Sequence, residues 1–245
     1  MEDIKNSWIC KQFIAHRGLH DNVSPENSLS AYQKAIDEGF AIEIDVRPLA
    51  CGTIVSFHDG FLDRLTKDMG DIEQRTYEEV KDLTLLDSQE KIPTLKEVLS
   101  LIDGKVPLLV EIKNEGKVGF EKDVYELLKS YKGEYAVQSF NPYSLKWFKD
   151  NAPEVARGQL AGFFKKDKLN FIKKFALKRM LLNKKVSEPH FVSYEVGSLP
   201  NKWVDKAKKQ GKVVLAWVVR NKEEQQRIKG YADNIIFEDF IPEVK

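Results

Sequence analysis

Two histidines, three carboxylates and two basic residues stand at spacings that could cleave a phosphodiester. They are His16 and His58, Glu43, Asp45 and Glu111, and Arg17 and Lys113. In the segment AIEIDV (41–46) side chains alternate across a strand, so Ile42, Ile44 and Val46 share one face and Glu43 and Asp45 share the other. LLVEIK (108–113) repeats the arrangement, with Glu111 and Lys113 opposite Val110 and Ile112. Three acids converging from neighbouring strands repel one another unless a cation neutralises them. Hard oxygen ligands point to one divalent cation, Mg²⁺ or Ca²⁺, rather than Zn²⁺. The plainer alternative is that Glu43 or Glu111 pairs with Arg17, Lys113 or another base. His16 and His58 each close a strand-like run, and beside a metal they suit a general base and a general acid. Arg17 adds a planar fork matched to phosphate oxygens.

Such a constellation needs strands that end together. Short apolar runs at 12–16, 41–46, 107–113, 134–139, 155–160, 190–194, 212–219 and 234–238 alternate with helical patterns. Those patterns lie near 28–38, 94–103, 117–132, 142–150, 165–184, 200–210 and 221–230. Eight strand–helix repeats predict an α/β chain closed into a (β/α)8 TIM barrel, whose active sites lie at the C-terminal strand ends. A doubly wound open sheet is the alternative, but no glycine-rich nucleotide loop follows the first strand. Residues 47–93 are too long for a simple crossover. TIVSFHD predicts an extra strand there, with a short helix around 76–82. This reads as a small insertion after the second strand, in one domain spanning 1–245, because it lacks a full core of its own. Pro25-Glu26-Asn27-Ser28 opens a helix, where Asn27 and Ser28 suit capping and Glu26 suits a supporting role behind Arg17.

The charge is balanced, 39 Lys plus Arg against 38 Asp plus Glu, so no long-range attraction to nucleic acid or a membrane is expected. No stretch is long and apolar enough for a membrane anchor, and the N-terminus lacks the pattern of a signal peptide. Cys10 and Cys51 have neither metal spacing nor a disulfide framework. The expected location is cytoplasmic. The oligomeric state is left open.

The motifs resemble the glycerophosphodiester phosphodiesterase family. The matching pieces are IAHRGLHDNVSPENSLSAY at 14–32, IEIDVRP at 42–48, IVSFHDGFLDRLT at 54–66, IPTLKEVL at 92–99 and LLVEIK at 108–113. Weaker matches are VQSFN at 137–141, LAWVV at 215–219 and DNIIFEDFIP at 233–242. The ordered set HRG, PEN, EIDV, HD and EIK is specific where any one piece is not. The resemblance implies a barrel with a small insertion, His16 and His58 as the acid–base pair, and Glu43, Asp45 and Glu111 as metal ligands. It further implies that Arg17 and Lys113 hold the phosphate and that Trp217 lies against the glycerol group, although a tryptophan on that strand equally suits the core. In the implied mechanism the glycerol 2-hydroxyl attacks phosphorus with help from one histidine. The other protonates the leaving alcohol, and water then opens the cyclic phosphate. The chain departs from the family's pattern in two places: Cys51-Gly52 stands where an Asp-Gly pair is usual, and Phe237-Glu238-Asp239 where a Thr-Asp pair is usual. His20 reads as a loop cap in preference to a substrate contact, and His190 has no assigned role.

The resemblance implies release of glycerol 3-phosphate and an alcohol from a small-molecule glycerophosphodiester. Two competing readings are a lysophospholipase D type activity on lysolipids and a non-catalytic phosphodiester-binding barrel. The intact histidine pair and acid set count against the second. Residues 165–185 carry nine basic residues and one acid, Asp167, which leaves −7 of the +1 total to the rest of the chain. Leu169, Ile172, Ala176 and Met180 recur there at helical spacing. Such a helix could touch an anionic membrane surface weakly, but an outer barrel helix with a solvated basic face is the simpler expectation.

Overall fold

The computed structural model describes residues 4–114, 119–164 and 170–243. Its strands are β1 (Ile14–Ala15), β2 (Ala41–Pro48), β3 (Ile54–Ser56), β4 (Leu108–Ile112) and β5 (Tyr135–Ser139). Then follow β6 (Ala156–Ala161), β7 (Phe191–Glu195), β8 (Val213–Val219) and β9 (Asn234–Phe237). Their order is β1-β9-β8-β7-β6-β5-β4-β2-β3, and β1 also pairs with β2. This is a (β/α)8 barrel with helices between its strands, the fold that the strand–helix alternation implies. β3 is the extra strand, antiparallel on β2 through Val46–Ser56 and Arg47–Val55.

The chain divides into two compact units, one formed by residues 15–135 and the other by residues 1–14 with 136–245. In the first, β2 and β4 run parallel with Asp45 directly beside Glu111 and Ile44 beside Val110. Helix α2 (Leu29–Asp37) starts where the Ser28 side chain accepts a hydrogen bond from Ala31 N. Helix α4 (Leu95–Ile102) opens on a capping box made by Thr94 and Glu97. It buries Leu95, Val98, Leu99 and Ile102, a single stripe at helical spacing. The insertion contains β3, a 3-10 turn at Ile72–Gln74 and α3 (Tyr77–Val80). It carries more core than its sequence promised: Leu49, Val55, Phe57, Leu62, Leu65, Ile72, Val80, Leu85 and Ile92 form one buried apolar cluster. Those side chains come from irregular segments or from elements of three or four residues, too short for a period to reveal a buried face.

The second unit begins with α1 (Trp8–Lys11), a single turn too short to leave a periodic signal. The Asn234 side chain on β9 donates to Ile9 O and Gln12 O, tying that turn to the sheet. On β6, a Cβ at Gly158 would lie 2.0 Å from the Phe191 ring, so the close approach of β7 requires glycine. Of the helix expected at 165–184, residues 165–169 lie outside the described residues. The helix seen is α7 (Phe171–Arg179), followed by a wider π-type turn at Asn183–Ser187.

His190, just before β7, accepts a hydrogen bond at Nδ1 from Arg157 N at 3.1 Å, which needs the neutral ring. Burial, then Arg157 and Lys212, pushes its pKa from 6.5 down to about 4. Because the unfolded chain binds that proton more readily, this contribution to stability is complete above pH 6.5 and is lost as pH falls towards 4. The urea midpoint should therefore drop across that window in the wild type, and less steeply in His190→Asn. Identical slopes would remove His190 from the acid response.

Candidate active site

The site lies within the unit of residues 15–135, and its first part is the turn after β1. Arg17 and Gly18 both adopt left-handed backbone, at φ 55° and 81°. A Cβ at Gly18 would lie 2.8 Å from the Ala31 carbonyl carbon, so only glycine fits beneath α2. The turn aims Arg17 N at Glu43 Oε2, 3.1 Å away, while Arg17 O accepts from Asn27 N. A non-glycine residue in this conformation stores strain that the surrounding contacts must outweigh.

Glu43, Asp45 and Glu111 converge as their alternation on β2 and β4 requires. All three are buried, with ligand oxygens within 4.8 Å of one another. The cationic partners of the plainer reading are also present. Lys113 Nζ lies 2.7 Å from Glu111 Oε1 and 3.4 Å from Asp45 Oδ1, and Arg17 Nε lies 3.1 Å from Asp45 Oδ2. Burial by itself would push the Asp45 carboxyl up. Lys113, His58 and Arg17 outweigh it and hold Asp45 well below the usual carboxylate range. Glu43 goes the other way, pushed well up by burial and then by Asp45 and Glu111. Lys113 is raised, since Glu111 and Asp45 overcome the lowering effect of burial.

These residues fit a divalent cation. The donor set is all carboxylate oxygen, and Asp45 Oδ1 is a buried atom with no hydrogen bond of its own.

Asn27 has a larger part than capping. Ser28 caps α2, whereas the Asn27 amide donates to Asp45 Oδ2 at 2.9 Å. Its Oδ1 accepts from the Tyr32 hydroxyl at 2.8 Å. Asparagine immediately before a serine cap looks like helix punctuation in sequence, which hides this second use. Glu26 does meet Arg17, with 2.6 Å from Oε1 to Nη1.

Arg64, in the insertion, was not legible as a site residue. Its guanidinium forks Glu26 at 2.7 and 2.8 Å and Asp59 at 2.6 and 3.0 Å. Burial tends to raise Glu26, but Arg64 and Arg17 bring it down to about 2. Asp59 Oδ1 lies 2.6 Å from His58 Nδ1, and Asp59 is held below its usual range by His58 and Arg64 against the effect of burial. One arginine thus links the carboxylate behind His58 to the carboxylate behind Arg17. His16, at the end of β1, is buried, and His58 keeps about a third of its side chain exposed.

Trp217 lies on β8 in the other unit. Its indole Nε1 donates to Ser193 O at 2.9 Å, and its ring meets Phe140 edge-on at 5.6 Å. Glu238, in the departure after β9, pairs with Arg220 at 2.7 Å.

Residues 16–243 match the model of the glycerophosphoryl diester phosphodiesterase family. The chain belongs to this family. Among its members, the glycerophosphodiester phosphodiesterase of Caldanaerobacter subterraneus subsp. tengcongensis is 34% identical over 240 residues, 92% of this chain and 93% of that protein. A phosphodiesterase of Oleispira antarctica, solved with the product sn-glycerol-3-phosphate, superposes with a TM-score of 0.77 at 27% identity. The match covers 93% of this chain and 92% of that one. The glycerophosphodiester phosphodiesterase of Thermotoga maritima gives 0.73 at 25% identity, over 93% and 94%. Family membership makes the chain a glycerophosphodiester phosphodiesterase, which agrees with a site of buried acids, histidines and cationic side chains. No helix among the described residues is long and apolar enough to cross a membrane.

Proposed function

We propose that the chain hydrolyses glycerophosphodiesters to glycerol 3-phosphate and an alcohol, using His16 and His58 as the acid–base pair. The observation that carries this reading is the buried meeting of Glu43, Asp45 and Glu111 with Arg17 and Lys113. Glu43, Asp45 and Glu111 would hold a divalent cation, which would supply Lewis-acid neutralisation of phosphoryl charge. Mg²⁺ and Ca²⁺ both match the donors.

Arg17, gripped by Glu26 and Asp45, presents its guanidinium to a phosphoryl oxygen, and Lys113 adds a second positive charge. Asp59 accepts a hydrogen bond from His58 Nδ1–H, which leaves Nε2 to take a proton. His58 therefore removes the proton of the glycerol 2-hydroxyl as its oxygen attacks phosphorus. The bond to the leaving alcohol breaks, and His16 delivers the proton that this alkoxide requires. With the roles reversed, water opens the cyclic phosphate to glycerol 3-phosphate. Arg64 and Glu26 act as positioning residues, because they touch Asp59 and Arg17 rather than the reacting atoms. Trp217 is assigned to the glycerol carbons on the family resemblance.

The test is product identification on glycerophosphocholine, glycerophosphoethanolamine and a lysophospholipid. Glycerol 3-phosphate from the first two supports the reading. Turnover of the lysolipid alone would replace it with a lysophospholipase D type activity, and turnover of none with a binding barrel.

A further inference from the structure

Helix α7, in the connection from β6 to β7, is only partly covered. Among its described side chains none is buried, and the first buried residue beyond it is Ser187. Phe171 is 80% exposed, Ile172 74%, Phe175 37% and, just past the helix, Leu181 49%. Ile172 belongs to the stripe that its spacing would bury, yet it faces solvent. A cluster of large apolar side chains left in water calls for a partner surface.

The charge around that cluster is of one sign. Residues 171–187 contain Lys173, Lys174, Lys178, Arg179, Lys184 and Lys185 and no acid. Phe171 and Phe175 lie 6.2 Å apart, and the Arg179 guanidinium sits 3.9 Å over the Phe175 ring. The helix is also anchored in a definite place. Tyr194, near the C-terminal end of β7, donates its hydroxyl to Lys178 O at 2.8 Å. Lys178 Nζ lies 4.1 Å above the ring of Phe163, which follows β6. Both contacts are at C-terminal strand ends, the ends through which barrel enzymes take substrate.

We propose that α7 and the turn after it form a docking face for an anionic lipid bilayer, with Phe171 and Ile172 entering the headgroup layer and the surrounding lysines meeting lipid phosphates. Exposed aromatic and aliphatic side chains ringed by lysine are the composition of an interfacial helix. An acidic protein would account for the lysines but not for Phe171 and Ile172. A second copy of this chain would account for the apolar residues but would bring two positive faces together. The inference is separate from the catalytic reading, since none of these residues belongs to the acid–histidine site.

Co-sedimentation of the full chain with vesicles tests it. Binding should be seen with vesicles of phosphatidylcholine plus phosphatidylglycerol, be weak with phosphatidylcholine alone, and fall as salt rises. Reversing Lys174, Lys184 and Lys185 to glutamate should lower partitioning by about tenfold or more. Phe171→Ser with Ile172→Ser should also lower it, while hydrolysis of soluble glycerophosphocholine stays unchanged in both variants. Absence of binding at low salt, or binding indifferent to both variants, overturns the proposal. Self-association in the absence of vesicles that Phe171→Ser with Ile172→Ser abolishes would assign the face to a second copy instead. Loss of hydrolysis with binding intact would count against the catalytic reading alone.

Discussion

His58→Ala should lower turnover by about 10²–10⁴-fold while leaving the fold intact, the usual range for removing a positioned proton carrier. The side chain is about a third exposed, so its loss opens no core cavity. What disappears is an imidazole whose Nδ1 is fixed 2.6 Å from Asp59. Arg64→Ala is the informative companion. It keeps the imidazole but releases Asp59 and Glu26 together, so a smaller loss of about 10-fold is expected, mainly in kcat. Arg64→Lys should not restore the rate, because a single ammonium cannot fork two carboxylates. Wild-type turnover in His58→Ala would remove that residue from the mechanism.

Asp45→Ala should be the most damaging change to the fold as well as to the site. Asp45 is fully buried and is approached by Arg17, Lys113 and the Asn27 amide. Truncation leaves two largely buried cations facing each other and an amide without its acceptor. Breaking a buried ion pair from one side costs about 3–5 kcal/mol, which would appear as a large fall in the urea midpoint. Hydrolysis should be lost too, since the same carboxylate is a proposed cation ligand. A midpoint within about 1 kcal/mol of wild type would mean that Glu26 and Glu111 alone suffice as partners for Arg17 and Lys113.

The contrast between Asp45 and Arg64 shows what sequence could and could not reveal. Glu43, Asp45 and Glu111 are legible because a strand enforces alternation, and charged residues on the inner face of a barrel strand need a reason. β2 ends at Pro48 rather than 46 because Arg47 and Pro48 pair with β3, a tertiary contact. Arg64 sits in the irregular stretch FLDRLT, where no period relates it to Glu26, 38 residues earlier. Asn27 was visible only as a cap, because a cap and a carboxylate partner call for the same residue type. The apolar cluster of the insertion was hidden for the same reason as Arg64. In α7 the apolar spacing was legible, but not that Ile172 would remain exposed while Ala176 and Met180 are half-buried, since periodicity marks a face and not what covers it.

The central claim is that the acid cluster and the two histidines form one cation-assisted phosphodiesterase site. Its most direct test is glycerophosphocholine hydrolysis by protein stripped of divalent ions and then resupplied with Mg²⁺ or Ca²⁺, with glycerol 3-phosphate and choline both quantified. The account predicts no release in chelator and stoichiometric release of both products once either ion returns. Release that continues unchanged in chelator, or none with either ion, would contradict it.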